Sequence, residues 1–251
     1  MRQKQEFFTA MGGRVKFIRG NYNITSDPIW LAWFVKNQRT VELARPHFGA
    51  SVTHRAVKKR ATTAKLSVLD AGIGTGGAAL ALLTHIPNAR ITGIDISETI
   101  LAECAKNAEL NDRQIDLVQG DIITWRTDRT FDIVMTNPPY FRGTPRTGIG
   151  NSGIHHNADL NAWTRACLRR VRPRGYFVCI IDTAMLVDVI AALYAGKAGD
   201  VEILPLFGMP PASTDRHAER VLVRARLGIC GGTKILDGML MNDDNVLKGE
   251  K

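Results

Sequence analysis

The sequence predicts an α/β fold, a mostly parallel sheet with helices on both faces. Two observations carry this. Short apolar runs alternate with helical patterns along the chain, and one run ends in a glycine turn that opens directly into a helix. Taken in order, the first helix is expected over 28–36, where Trp30 and Trp33 lie three apart and read as core or pocket packing. The first strand of the main sheet is expected at 66–70, followed by a helix at 77–85 whose Ala78, Leu80, Leu82 and Leu83 suit a buried position. A strand at 90–95 leads to a helix at 97–110, with Ser97 as its N-cap and Glu98, Glu103 and Lys106 on its exposed face. Strands at 115–119 and 131–136 precede a helix at 158–170. The apolar stretch from Tyr176 to Tyr194 is interrupted by Asp182 and Asp188, which are costly in a bilayer, so it reads as a strand at 175–181 and a helix at 184–195. Strands at 201–207 and 219–226 flank the turn-rich Met209-Pro210-Pro211-Ala212-Ser213, and the chain after Gly231 is expected to fray around Asn242-Asp243-Asp244-Asn245.

With 251 residues, 45% of them hydrophobic, the chain can bury one sizeable core. Its cysteines, Cys104, Cys167, Cys179 and Cys230, show no C-x-x-C spacing and suit reduced thiols in a cytoplasmic protein. No signal-peptide pattern or membrane span is expected. The net charge of +9 is unevenly placed. Residues 1–65 hold 13 Lys or Arg against 3 acids, whereas 66–251 hold 20 against 21. This divides the chain into a basic N-terminal segment, 1–65, and a near-neutral domain, 66–251. Concentrated positive charge beside a neutral domain suits capture of a polyanion through its phosphates, with Lys58, Lys59 and Arg60, next to Arg55, as the densest cluster.

Two motifs carry the chemistry. In Val68-Leu69-Asp70-Ala71-Gly72-Ile73-Gly74-Thr75-Gly76-Gly77, glycines permit close backbone approach to a ligand, and Gly72, Gly74 and Gly77 fit the dinucleotide spacing G-x-G-x-x-G. Asp95 follows 18 residues after Gly77, where a ribose-binding carboxylate is expected. That pattern serves either a nicotinamide dinucleotide or S-adenosylmethionine, which share an adenosine. The acid Asp70 beside the turn favours the ligand with the cationic sulfonium. The second motif, Asn137-Pro138-Pro139-Tyr140, follows the apolar run 131–135. A conjugated amine is a poor nucleophile because its lone pair is delocalised. Acceptors on the Asn137 side chain and the Pro138 carbonyl, aimed by the two prolines, can grip its protons, and Tyr140 offers a face for base stacking. The loop beyond, with Phe141, Arg142, Arg146, His155 and His156, lies where ligands bind in such sheets. Adjacent histidines lack Cys or carboxylate companions at useful spacing, so no metal is expected.

Together these motifs resemble the class I S-adenosylmethionine-dependent methyltransferases, in the branch that methylates amino nitrogens. The resemblance implies a Rossmann-like fold with a seven-stranded, mostly parallel sheet and an antiparallel C-terminal hairpin. It implies S-adenosyl-L-methionine as cofactor, with Asp70, Gly72, Gly74 and Gly76 at the glycine turn. Asp95 and Ile96 would hold the ribose, Asp121 and Ile122 the adenine edge, and Ser26 and Asp27 the segment that closes over the methionine end. The run Ala218 to Arg226 is similar to the last strand of the bacterial tRNA-valine adenine-N6 methyltransferases. That match implies an adenine in RNA, in a tRNA anticodon loop, as acceptor. Arg142 and Arg146 would then contact phosphate, His155 or His156 would stack on or donate to a nucleotide, Phe141 would adjoin the substrate, and the basic segment would hold further phosphates. Protein-glutamine N5 methylation, ribosomal-RNA or DNA adenine methylation, an NAD-dependent dehydrogenase and a non-catalytic RNA-binding module stay open. Nothing in the sequence sets an oligomeric state.

Overall fold

The central strands of the main sheet divide their side chains between two apolar layers, and the helices cover both. The computed structural model describes residues 6–19, 25–36, 65–139, 159–208 and 216–250. A hairpin of β1 (Phe7–Ala10) and β2 (Val15–Ile18) precedes α1 (Asp27–Lys36). The alternating core follows: β3 (Ser67–Ala71), α2 (Gly77–His85), β4 (Arg90–Asp95), α3 (Glu98–Leu110), β5 (Asp116–Gln119) and β6 (Phe131–Thr136). Next come α4 (Leu160–Leu168), β7 (Val171–Asp182), α5 (Leu186–Ala195), β8 (Ala198–Phe207) and β9 (Arg220–Leu227). Two short strands, β10 (Thr233–Ile235) and β11 (Met239–Leu240), and a last turn of helix, α6 (Asp244–Leu247), complete the described chain.

All seven expected strands and all five expected helices form, with ends shifted by a few residues. The sheet order is β10-β8-β9-β7-β6-β3-β4-β5, with β11 also paired to β8. β3 to β7 run parallel, and β9 lies antiparallel between β7 and β8, as the expected C-terminal hairpin requires. The sheet has nine strands rather than seven, because β10 and β11 add to the outer edge of β8. The chain beyond Gly231 is therefore not a frayed tail. Asp243 accepts hydrogen bonds from Asn245 and Val246 and so caps α6, Val246 is fully buried, and Trp30 Nε1 donates to the Met241 carbonyl at 2.9 Å.

Alternation along β3 shows how the layers arise. Val68 faces the layer holding Trp30, Leu31 and Phe34 of α1, Leu80 and Leu82 of α2, and Cys104 of α3. Leu69 and Ala71 face the other, with Cys167 of α4 and Val189 of α5. Each fully buried Leu or Ile stabilises the fold by about 1.5–3 kcal/mol. Met11, Val15 and Phe17 of the N-terminal hairpin join the first layer, and Asn107 ties that hairpin in by accepting from Ile18 N–H while donating to the Thr75 carbonyl. Among the described residues no helix is long and apolar enough to cross a membrane.

Candidate active site

Register alone brings the two motifs together. Ala71 of β3 is level with Ile94 of β4 on one side and with Thr136 of β6 on the other. The next residue of each strand, Gly72, Asp95 and Asn137, therefore stands at the same edge of the sheet. Adjacent strands are about 4.8 Å apart, so the three span roughly 10 Å. The chain leaves β3 outward through β4 and β5 and returns to β6 on the opposite side. This is a topological switch point, where open α/β sheets bind ligands beyond the carboxyl ends of their strands.

The glycine turn has the conformation its composition demands. Gly72, Gly74 and Gly76 have φ of 72°, 55° and 90°, a region that side chains disfavour. The turn is pinned to β4 by Gly72 and Ile73 N–H, which donate to the Ile94 carbonyl at 2.9 and 3.0 Å. A Cβ at Gly74 would meet nothing within 4 Å, so open space lies over the turn.

Three acids lie at or beside the carboxyl ends of β3, β4 and β5. The Asp95 carboxylate accepts from Gly74 N–H and from Ser97 N–H, each at 3.0 Å, and thereby joins the turn to the start of α3. Its neighbour Ile96 is 52% exposed, an apolar side chain presented at the same edge. Gly120 N–H donates to the Asp95 carbonyl, and Asp121 accepts from Ile123 N–H at 2.8 Å. Ile122, in contrast, lies in the apolar layer. Asp70 is buried, and its Oδ2 has no hydrogen-bond partner. Burial pushes its carboxyl up to about 7 and the Asp95 charge adds to the rise, against a backbone hydrogen bond from Ala79 in the first turn of α2. A cationic ligand would relieve both effects.

Asn137 and Pro139 are half-buried and Pro138 is buried, directly after β6. Ser26 opens α1, its carbonyl accepting from Ile29 and Trp30 N–H. Asp27 is buried and paired with Arg220 Nε at 3.2 Å, while Arg220 also reaches Asp182 at the end of β7. Tyr140, Phe141, Arg142, Arg146, His155, Lys58, Lys59 and Arg60 lie outside the described residues. The structure adds two residues to the neighbourhood, Arg220 and Trp163. Trp163 Nε1 donates to Thr136 Oγ1 at 3.2 Å, and its ring lies against Gly72. The carboxylate Asp27 could have suggested a cationic partner, but nothing in the sequence singles out Arg220 or Trp163.

Residues 68–175 match a family described as a methyltransferase domain. A Listeria monocytogenes protein assigned to the class I S-adenosylmethionine-dependent methyltransferases superposes with a TM-score of 0.61 at 15% identity, over 93% of this chain and 71% of that one. The fold is that of the class I methyltransferases. With the family match it implies S-adenosyl-L-methionine as cofactor, and the open turn at Gly74 and the unpartnered Asp70 oxygen fit a ligand that carries positive charge. Among curated relatives, the chain is 35% identical over 96 residues to release factor glutamine methyltransferase of Flavobacterium psychrophilum, covering 38% of this chain and 34% of that protein. It is 39% identical over 77 residues to tRNA1(Val) (adenine(37)-N6)-methyltransferase of Glaesserella parasuis, covering 30% and 32%. The matched stretch is about a third of the length of each of these relatives.

Proposed function

We propose that this protein methylates the N6 amine of an adenine in RNA, in a tRNA anticodon loop, using S-adenosylmethionine. The observation that carries the reading is the position of Asn137-Pro138-Pro139 beside Gly72, at the end of the adjacent parallel strand. When bound, S-adenosylmethionine supplies an electrophilic methyl group on a cationic sulfur. Asp95 and Asp121 hold the ribose and adenine edge, and ionised Asp70 faces the positive charge. Asn137 and the Pro138 carbonyl accept hydrogen bonds from the acceptor amine and stabilise the positive charge that develops on its nitrogen. Tyr140 stacks the ring. An anticodon-loop base is already partly unstacked, which lowers the cost of presenting it. The 13 basic residues of 1–65 support a polyanionic substrate.

A second reading, N5 methylation of a protein glutamine, is favoured by the recurrence of release factor glutamine methyltransferases among the relatives. A side-chain amide presents the same conjugated nitrogen to the same acceptors. Incubation with methyl-labelled S-adenosylmethionine, total RNA and total protein separates the two. Label in N6-methyladenosine at one tRNA position is expected, and label confined to protein would replace the first reading with the second. Asn137→Ala should lower turnover about 10²–10³-fold, as loss of one preorganised polar contact does, with cofactor affinity nearly unchanged. Wild-type turnover in that variant would refute the role of Asn137.

A further inference from the structure

Trp163 stands on the first turn of α4, where the glycine turn and the acceptor loop meet, yet it belongs to neither motif. Two contacts place it. A Cβ added to Gly72 would lie 3.2 and 3.3 Å from Cζ2 and Cη2 of the indole, so the ring lies directly against that glycine. The indole N–H donates to Thr136 Oγ1 at 3.2 Å, and Thr136 Oγ1 in turn donates to the Ala71 carbonyl at 2.8 Å.

The positions of these partners matter. Ala71 is the residue before Gly72, and Thr136 is the residue before Asn137. The chain of two hydrogen bonds thus fastens the last residue of β3 to the last residue of β6, and α4 to both. Asp159 caps α4 one turn earlier, its carboxylate accepting from Asn161 N–H at 2.9 Å, so the helix start that carries Trp163 is itself anchored. Trp163 also packs against the layer that holds Leu69 and Ala71. Apolar filling alone would be met by Phe or Leu, whereas the N–H needs its acceptor, and here that acceptor is the brace between the strands.

We propose that Trp163 is a positioning residue that holds the glycine turn at a fixed spacing from the acceptor loop, and that its ring forms one wall of the cofactor site. The inference rests on the methyltransferase reading above. In-line transfer between a donor on β3 and an acceptor on β6 depends on their separation, and a misplacement of about 1 Å can cost 10²-fold in rate. The strand pairing sets the separation coarsely, and the Ala71–Thr136–Trp163 chain fixes it at the reacting edge.

The test uses the full chain titrated with S-adenosylhomocysteine, followed by calorimetry, tryptophan emission and ¹⁵N spectra. Trp163→Phe keeps the bulk and loses the N–H, leaving Trp30, Trp33 and Trp125 as internal controls. In the wild type the ligand changes tryptophan emission. In Trp163→Phe most of that change is lost, while the dissociation constant stays within about tenfold. Thr136→Val keeps the emission response but moves both the Gly72 amide signal and the Asn137 side-chain amide pair, the latter assigned by its absence in Asn137→Ala. Survival of the full emission change in Trp163→Phe, or unmoved Gly72 and Asn137 signals in Thr136→Val, overturns the inference while the cofactor reading stands. Absence of binding heat in the wild type overturns the cofactor reading and this inference with it.

Discussion

Asp70 and Asp95 stand at neighbouring strand ends on the same edge of the sheet, and the backbone treats them oppositely. Asp95, half-buried, collects N–H donors from Gly74 and Ser97, so its negative charge is matched before any ligand arrives. Asp70, one strand away and buried, keeps one oxygen without a partner, and its carboxyl is pushed up to about 7. One acid is preorganised by the chain and shapes the turn. The other is held at a cost that a cation can offset. Under the proposed function, the difference would separate recognition of the neutral ribose from recognition of positive charge across two adjacent strands.

The largest effect expected from breaking this arrangement is at Asp95. Asp95→Ala removes the acceptor of two backbone donors as well as the proposed ribose contact. Hydrogen bonds to charged groups contribute about 1.5–3 kcal/mol each, so cofactor affinity should fall about 100-fold or more. Calorimetry with S-adenosylhomocysteine checks it, and a fall of less than about tenfold would mean that the carboxylate only organises the turn.

Asp70 gives a smaller effect with a distinct pH signature. Its carboxyl rises from the ordinary aspartate value of 3.8 to about 7 in the fold. Below the lower value it is protonated in folded and unfolded chains alike. Between the two values only the folded chain keeps the proton, so each step up in pH through that window lowers stability. Subtracting the profile of Asp70→Asn from that of the wild type should reveal this slope in thermal midpoints of the ligand-free protein. Affinity runs the other way, because the ionised acid attracts the cation. Binding of S-adenosylmethionine should tighten about tenfold from pH 6 to pH 8 in the wild type and stay nearly flat in Asp70→Asn. A flat wild-type profile would separate Asp70 from the cationic part of the ligand.

The halves of this comparison were not equally legible in the sequence. Gly72, Asp95 and Asn137 could be placed because each closes an apolar run, and parallel pairing of those runs makes their ends neighbours. The opposite solvation of Asp70 and Asp95 could not, since it depends on which backbone N–H groups point at each carboxylate. Contacts distant in the chain were equally hidden: Arg220 pairs with Asp27 across 193 positions, and Trp163 reaches Thr136 across 27. The strands β1, β2, β10 and β11, of two to four residues each, are too short for alternation to register. Asp243 misled for a chemical reason, because residues that favour loops also cap helices, and only the burial of Val246 decides between the two. Arg142, His155 and the other residues expected to touch the acceptor lie outside the described residues, so the substrate side rests on the motif and on charge.

The finest test compares two glycines of the same turn. Gly72→Ala and Gly74→Ala each force a side chain into the left-handed region, at about 1–2 kcal/mol. At Gly72 the new methyl also meets the Trp163 ring at 3.2 Å, which should add about 1 kcal/mol of overpacking. At Gly74 it enters open space, so strain is the whole stability cost, but under the proposed function that space is where the cofactor would approach the turn. Thermal midpoints should therefore rank Gly72→Ala below Gly74→Ala, while affinity for S-adenosylhomocysteine should fall more in Gly74→Ala. Adding Trp163→Phe to Gly72→Ala should recover part of the stability, because the smaller ring yields where the indole cannot, and simple additivity of the two changes would show that ring and turn do not bear on each other.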